Sequence, residues 1–251
     1  MIEFRDLTVR YAGSASDAVK GVSFTLEDGT FTGLIGESGS GKSTIVGSAL
    51  RILPRDTSVK GNIIIDGKDL LALGEEELRR VRWKDMALVP QGAMNSFTPV
   101  ITIGRHITET ISTHETECRA DMNETIDRLL NEVGLDAPVK DKYPHELSGG
   151  QKQRAAIALA LSCSPSLLFA DEPTTALDVV TQAGVLKLLA GLQEKKSLTV
   201  LLVTHDLPLA ASVCGRLLVM KDGEIVESGT PREIITDPRH EHTKALVRSM
   251  L

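Results

Sequence analysis

Gly36-Glu37-Ser38-Gly39-Ser40-Gly41-Lys42-Ser43 stands between an apolar run and a helix-like run of this 251-residue chain. The stretch matches the pattern G-x-x-x-x-G-K-[ST], which binds phosphate groups. Its glycines let the backbone curl so that N–H groups point at phosphate oxygens, and the following helix adds its positive dipole end. An ordinary Gly/Ser turn is the alternative, but it does not explain the complete pattern between a strand and a helix.

This loop predicts a site for a nucleotide. Lys42 is expected to reach the β- and γ-phosphates, and the Ser43 hydroxyl is expected to ligate Mg²⁺. The predicted nucleotide-binding residues of the loop are Gly36, Glu37, Ser38, Gly39, Ser40, Gly41, Lys42, Ser43 and Thr44.

The segments around the loop alternate between strand and helix patterns. Thr30 to Gly36 predicts a buried strand, and Lys42 to Leu53 predicts a helix that ends before a proline. Upstream, apolar residues alternate from Ile2 to Tyr11 with a break near Asp6, which predicts strands with one buried face. The loop is therefore expected at the end of a strand within an α/β fold.

The middle of the chain has a different character. From about Ile101 to Cys163 the strand signals vanish and helical periodicity takes over, and after Pro165 the strands return. Lys221-Asp222-Gly223 predicts a hairpin, and the tail from Arg232 to Leu251 predicts a helix. We therefore predict one domain over residues 1–251, an α/β core with an α-helical subdomain inserted at about 92–165.

Two acids end an apolar run, Leu167-Leu168-Phe169-Ala170-Asp171-Glu172. Beside a phosphate loop, Asp171 fits a contact to Mg²⁺ and its water, and Glu172 fits a general base that polarises the attacking water. The alternative is an acidic strand end that faces solvent. The loop elsewhere in the chain favours the catalytic interpretation.

A second candidate for anion binding is Leu147-Ser148-Gly149-Gly150-Gln151, which precedes a helix predicted from about Gln151 to Leu161. Helix N-termini attract anions through their N–H groups and dipole. A Ser N-cap followed by glycines is the alternative, and it explains the serine but not the whole run. One chain therefore carries two predicted phosphate-binding ends and needs one for its own nucleotide.

Composition narrows the class of protein. A net charge of -6 and a pI near 5.6 disfavour a nucleic-acid binder. The apolar stretches are too short to span a bilayer, and the residues after Met1 lack the regions of a signal peptide. Cys118, Cys163 and Cys214 show no CxxC spacing, so neither a disulfide framework nor a zinc site is expected.

The run from Leu147 to Gln151 closely resembles the signature motif of ABC ATPases, and the resemblance covers nearly the whole chain in the family's order. It implies a P-loop NTPase core of the RecA-like type, an N-terminal antiparallel β subdomain and the inserted helical subdomain. It also implies ATP and Mg²⁺ as cofactors. In this family, ATP on the loop of one subunit is covered by the signature residues of the facing subunit, here Ser148, Gly149, Gly150 and Gln151.

The resemblance assigns further residues, each with a structural alternative. Tyr11 looks like the aromatic that stacks on adenine, although it also fits a strand-end core tyrosine. Gln91 is similar to the loop glutamine that senses Mg²⁺ and contacts the membrane subunit, and with Glu172 and His205 it completes the expected catalytic set. His205 looks like the switch histidine at the γ-phosphate, and Asp178 resembles part of the loop that crosses the dimer interface.

Three segments are similar to the importer subfamily for dipeptides, oligopeptides and nickel. They are Val89-Pro90-Gln91-Gly92-Ala93-Met94-Asn95-Ser96, Tyr143-Pro144-His145-Glu146-Leu147-Ser148-Gly149-Gly150-Gln151 and Thr174-Thr175-Ala176-Leu177-Asp178-Val179. Many peptide-importing members continue with a cysteine-bearing extension, whereas this sequence stops at Leu251, which moves some weight toward nickel or metal chelates. The expected function is therefore that of an ATP-hydrolysing importer subunit that powers uptake of peptides or of nickel or metal chelates. His240 and His242 are expected to face solvent rather than bind metal.

The subfamily implies partners and a location. The expected partners are transmembrane permeases, a second ATP-binding subunit that is a paralogue or a second copy, and indirectly an extracytoplasmic solute-binding protein. The expected location is the cytoplasmic face of the inner membrane, and the expected dock is the surface near Gln91 and Gly92 to Pro99, with Met94 and Phe97 as contacts or, alternatively, as core residues. A soluble ABC ATPase of DNA repair or translation and a P-loop kinase are the rival classes.

Overall fold

The computed structural model describes residues 1–114 and 121–249, so Cys118 lies outside the described residues. The chain divides into two compact units. The first combines Met1–Leu78 with Thr199–Leu251, and the second is Arg79–Leu198.

Strands and α-helices follow one another along these ranges. The strands are β1 (Ile2–Arg10), β2 (Val19–Leu26), β3 (Phe31–Ile35), β4 (Ser58–Ile65), β5 (Lys68–Asp69), β6 (Met86–Val89), β7 (Leu167–Asp171), β8 (Thr199–Thr204), β9 (Arg216–Lys221) and β10 (Glu224–Gly229). The α-helices are α1 (Lys42–Leu50), α2 (Glu75–Val81), α3 (Ile103–His114), α4 (Met122–Glu132), α5 (Gly149–Ala160), α6 (Val179–Lys196), α7 (Leu207–Val213), α8 (Pro231–Thr236) and α9 (Glu241–Arg248).

An antiparallel sheet in the first unit has the strand order β2-β1-β4-β5. It confirms the expected N-terminal antiparallel β subdomain. The predicted break near Asp6 is present, because the pairing of β1 with β4 shifts between Arg5 and Thr8 and Asp6 adopts a φ of 48°. Ile2, Phe4, Leu7 and Val9 are buried, as their alternation predicts.

Parallel strands in the first unit carry the phosphate loop. β3 is buried along its whole length and pairs in parallel with β8 and β9. Ile35 lies opposite Thr204, so the carboxyl ends of β3 and β8 reach the same sheet edge. The predicted hairpin connects β9 to the antiparallel strand β10. Its turn residues Asp222 and Gly223 have φ angles of 48° and 89°, the left-handed pair that is typical of an Asp-Gly turn.

The second unit contains the expected helical insertion. β6 pairs in parallel with β7, with Val89 opposite Ala170. Between these strands, the described residues form α3, α4, α5 and short 3-10 turns. The compact unit is larger than the helical insertion, because it also holds β6, β7 and α6. Gly134 follows the end of α4 in the left-handed conformation that is common at helix C-termini, with a φ of 70°.

Several local expectations need correction. α1 ends at Leu50 rather than Leu53, because Arg51 turns into the left-handed region and its N–H bonds the last turn. The tail forms two helices, α8 and α9, separated by a segment that contains a proline, which disfavours a helical residue before it. His242 does not face solvent: it is 7% exposed at the start of α9, whereas His240 is exposed.

Both described cysteines, Cys163 and Cys214, are buried. Burial raises the pKa of Cys214 to about 12, so its thiol stays protonated at neutral pH. Cys163 and Cys214 therefore act as core residues.

Candidate functional site

The phosphate loop connects β3 to α1 through glycines that no other residue can replace without strain. A Cβ on Gly36 would lie 2.3 Å from the carbonyl oxygen of Met220. A Cβ on Gly41 would lie 2.4 Å from the carbonyl oxygen of Ala18, and Gly41 has a φ of 106°. Close backbone packing and a left-handed φ both demand glycine here. The loop shape is therefore set by the surrounding backbone of the first unit.

Lys42 is buried in this loop, with 5% of its surface exposed. Its ammonium lies 2.8 Å from the carbonyl oxygen of Gly36, 2.7 Å from that of Glu37 and 3.3 Å from the Ser40 hydroxyl. A buried ammonium needs such oxygens, because an uncompensated buried charge is costly. The loop thus holds a positive charge where the sequence predicts phosphate.

Other predicted nucleotide residues of the first unit lie near the loop. Ser43 is exposed on the first turn of α1, and Thr44 is buried with its hydroxyl 3.0 Å from the Tyr11 hydroxyl. Tyr11 is half-buried after β1, so its ring is not a fully buried core residue. His205 is exposed directly after β8, at the sheet edge where β3 leads into Gly36.

The two predicted anion-binding helix ends are built differently. In the described ranges, no side chain caps α1, whose N-cap residue is Gly41. At α5 the Ser148 hydroxyl accepts a bond from the Gln151 N–H at 3.3 Å, and the Gln151 side chain accepts one from the Ser148 N–H at 3.0 Å. This is a capping box, so the N-cap interpretation of Ser148 is confirmed and Gln151 takes part in it. The helix begins at Gly149, two residues earlier than predicted.

The acidic strand end lies in the second unit. Asp171 is 8% exposed at the end of the fully buried β7, and Glu172 is half-buried. Glu172 has a φ of 44°. A non-glycine residue in this region carries strain on the order of 1–3 kcal/mol, and such residues cluster at active sites. The backbone conformation therefore marks Glu172 as a candidate functional residue.

Gln91 and Glu172 come together in this unit. Gln91 follows β6, Glu172 follows β7, and the parallel pairing of these strands brings their ends to one edge. The Gln91 amide donates to Oε2 of Glu172 at 3.0 Å. The Thr175 hydroxyl donates to the same oxygen at 2.9 Å. Sequence reasoning missed Thr175, although its place three residues after Glu172 in a turn signalled the contact.

The signature glycines pack against the loop before α6. A Cβ on Gly149 would meet the sulfur of Met94 at 3.4 Å and a methyl of Leu177 at 3.6 Å, and a Cβ on Gly150 would meet a methyl of Thr181 at 2.8 Å. Gly150 is therefore required for close packing against the first turn of α6.

Asp178 caps α6. It accepts bonds from the Thr181 N–H at 3.0 Å and the Thr181 hydroxyl at 2.7 Å. The Thr181 hydroxyl, followed by the N–H, lowers the pKa of Asp178, so this carboxylate stays ionised. The side chain predicted at a dimer interface thus has a structural partner within its own chain.

The donors predicted for Mg²⁺ are the Ser43 hydroxyl and the Asp171 carboxylate, with Gln91 as an amide oxygen. All three are hard oxygen donors, the type that Mg²⁺ prefers, and phosphate and water complete such sites. Within residues 1–114 and 121–249, no cluster of three or more His, Cys, Asp or Glu forms a self-sufficient metal site.

Residues 19–175 match the ABC transporter family, which is more than half of the chain. This segment includes the phosphate loop, Gln91, the signature run, Asp171 and Glu172. The chain belongs to the ABC transporter family. The expectation from the signature motif is confirmed, and the rival class of P-loop kinases is set aside.

Two curated relatives cover this ABC transporter chain from end to end. A probable peptide ABC transporter ATP-binding protein, y4tR of Sinorhizobium fredii, is 42% identical over all of this chain and 76% of its own length. The oligopeptide transport ATP-binding protein OppD of Bacillus subtilis is 41% identical over all of this chain and 72% of its own length.

Solved structures confirm the expected fold. A bacterial ABC transporter cassette solved as a dimer has a TM-score of 0.80 and 30% identity, covering 92% of this chain and 99% of that chain. The same figures hold for that cassette in a post-hydrolysis state bound to ADP and inorganic phosphate. This chain is therefore an ABC-type ATPase with the predicted P-loop NTPase fold. Among its described helices, none has the length and apolar character needed to cross a bilayer.

Proposed function

We propose that this chain binds ATP with Mg²⁺ and hydrolyses it to power peptide uptake through partner membrane permeases. The observation that carries the ATP site is the buried Lys42 ammonium, held by loop oxygens at the start of α1. A triphosphate placed on the loop meets this charge, the loop N–H groups and the helix dipole together.

The residues of the first unit bind the nucleotide. Gly36 to Thr44 hold the phosphates, with Lys42 on the β- and γ-phosphates and Ser43 as a ligand of Mg²⁺. Tyr11 stacks on adenine, and its hydroxyl bond to Thr44 supports this role by holding the ring beside α1. His205 contacts the γ-phosphate, and its exposure at the sheet edge next to the loop supports that assignment.

The residues of the second unit carry the chemistry. Glu172 accepts a proton from the attacking water, and Asp171 contacts Mg²⁺ through water. Bound Mg²⁺ would neutralise negative charge on the phosphates. Gln91 senses bound Mg²⁺, and its 3.0 Å bond to Oε2 of Glu172 supports this role by placing the amide beside the catalytic carboxylate.

A second ATP-binding subunit completes each site. Ser148, Gly149, Gly150 and Gln151 cover the nucleotide of the facing subunit, and Asp178 lies in the loop that meets that subunit. The exposed side chains Val179 and Val180, 77% and 82% accessible, support an interface beside Asp178. We propose a paralogue as the facing subunit rather than a second copy.

Peptides are the proposed solute, because the two relatives from Sinorhizobium fredii and Bacillus subtilis are named as peptide and oligopeptide transport proteins. An extracytoplasmic binding protein delivers the solute to the permeases, and this chain lies at the cytoplasmic face of the membrane. The test is uptake of a labelled oligopeptide and of nickel by proteoliposomes holding the assembled transporter. ATP-driven uptake of nickel alone would contradict the proposed solute and favour the metal-chelate importers.

The proposed dock for the permease is the surface formed by Gln91 and the segment from Gly92 to Val100. Phe97 does not belong to this surface, because it is 8% exposed and packs edge-on against His106 with ring centroids 5.2 Å apart. Val100, which is 80% exposed, is the apolar contact that the segment offers instead. The helical insertion at about 92–165 then passes the motion of the ATPase to the permease.

A further inference from the structure

We propose that Thr175 is a positioning residue that orients the catalytic carboxylate of Glu172. The inference rests on the proposed role of Glu172 as general base. Its structural basis is the 2.9 Å bond from the Thr175 hydroxyl to Oε2 of Glu172, within a turn closed by a 3.2 Å bond from the Thr175 N–H to the Glu172 carbonyl. Thr175 therefore binds Glu172 twice, once through its side chain and once through its backbone N–H.

Two donors share the same carboxylate oxygen, but they differ in how they are held. Gln91 is exposed and reaches Glu172 from a loop 81 residues away in sequence. Thr175 is half-buried and belongs to the turn of Glu172 itself. A carboxylate rotates easily about its last side-chain bond, and a donor on one oxygen fixes its plane. Because Thr175 lies only three residues from Glu172 in the same turn, its hydrogen bond to Oε2 is expected to persist more than that of Gln91.

The turn around Thr175 is itself held from α6. The side-chain amide of Gln182 donates to the carbonyl oxygens of Thr174 at 3.2 Å and Leu177 at 3.1 Å. Thr174 is buried, with 7% of its surface exposed. The two carbonyls flank Thr175, so a single helical side chain fixes the backbone on both sides of it.

This arrangement separates orientation of the base from sensing of the nucleotide. A Gln91 side chain that ligates Mg²⁺ through its amide, as proposed above, would give up its bond to Oε2 of Glu172. Thr175 then keeps the carboxylate aimed while water is activated. Glu172 has a strained φ of 44°, which makes such a local tether more important for a reproducible side-chain direction.

The test compares Thr175→Val, which is nearly isosteric and lacks the hydroxyl, with Thr175→Ser, which keeps it. ATPase activity is measured on the full chain in the assembled transporter. We expect Thr175→Val to lower kcat about tenfold, the effect of one lost orienting hydrogen bond. KM for ATP and the melting temperature are expected to stay unchanged. Thr175→Ser is expected to recover most of the activity. If the valine variant does not fold, Thr175→Ala replaces it in the same comparison.

A second comparison shows whether the effect acts through Glu172. In single-turnover assays on the Glu172→Gln background, Thr175→Val is expected to cause no further loss, because the base that it orients is already absent. An equal loss in both backgrounds, a serine variant as slow as valine, or normal kcat in Thr175→Val would each overturn the positioning role. Wild-type turnover of Glu172→Gln alone would instead overturn the proposed base.

Discussion

The Lys42 ammonium donates a hydrogen bond to the carbonyl oxygen of Gly36 at 2.8 Å, which joins the end of the phosphate loop to its first glycine. The contact holds a buried positive charge within the loop. A charge fixed in this way stabilises a phosphate without a further conformational change. The electrostatic attraction between the two is stronger in a site shielded from water.

Lys42→Ala is expected to abolish ATP hydrolysis and to weaken ATP binding, because the β- and γ-phosphates lose their cationic partner. Nucleotide affinity by fluorescence titration and phosphate release measure the two effects. Lys68→Ala, an exposed lysine on β5, serves as the matched control and should keep both activities. Wild-type ATPase activity in Lys42→Ala would contradict the phosphate-loop assignment.

Glu172→Gln is expected to keep ATP binding and to lower turnover by about two to four orders of magnitude, because the amide cannot accept the proton of water. Persistent ATP should trap the closed pair of subunits, which gel filtration with ATP detects. Glu194→Gln on the exposed side of α6 is the control. Normal hydrolysis by Glu172→Gln would move the base elsewhere, with His205 as the next candidate.

Ser148→Arg is expected to block hydrolysis in the assembled transporter while the isolated chain still binds ATP. The bulky side chain obstructs closure onto the nucleotide of the facing subunit. The substitution also removes the N-cap of α5, a loss of about 1 kcal/mol, so Ser148→Ala controls for the cap alone. Loss of ATP binding by isolated Ser148→Arg, with Ser148→Ala intact, would show that the signature acts within its own chain.

Phe97→Asp and Val100→Asp separate packing from docking. Phe97 is buried, so a charge there should lower the melting temperature markedly, as expected for an unpaired buried carboxylate. Val100 is exposed, so Val100→Asp should keep the melting temperature and ATP affinity but reduce co-purification with the permease. Undiminished co-purification and transport by Val100→Asp would remove Val100 from the proposed dock.

Glu227 anchors the start of α9, because its carboxylate accepts the N–H of Arg239 at 2.9 Å and that of His240 at 3.0 Å. Partial burial favours the protonated acid, but the influence of the Thr243 hydroxyl and of these two N–H groups outweighs burial and lowers the pKa of Glu227 below 4.5. A lowered pKa stabilises the fold above about pH 4.5, and the stabilisation is lost as pH falls through the folded-state value.

Glu227→Gln is therefore expected to melt a few degrees below the wild type at pH 7, with the difference shrinking as the pH falls below about 4.5. Thermal scans from pH 3.5 to pH 8, run without nucleotide, measure it. Glu224→Gln on the same strand is the exposed control. A difference in melting temperature that is constant across this range would show that the carboxylate charge of Glu227 is not the stabilising feature.

Local sequence determined the elements that depend on neighbours along the chain. Alternating apolar residues predicted β1 and its break at Asp6, the Asp222-Gly223 pair predicted its hairpin, and the loop from Gly36 to Ser43 predicted the strand-to-helix junction. Each depends on backbone preferences or side-chain period over a few residues, which a sequence displays directly. The family and its P-loop fold followed from the order of such motifs.

Tertiary packing decided what depends on residues distant in sequence. The burial of Phe97 and His242 and the 3.0 Å bond between Gln91 and Glu172 are not visible in any local pattern. Burial is a property of the whole surrounding surface, and a side-chain hydrogen bond requires two groups to meet within a few tenths of an ångström. The parallel pairing of β6 with β7 brings Gln91 and Glu172 within hydrogen-bonding distance, although about 80 residues separate them along the chain.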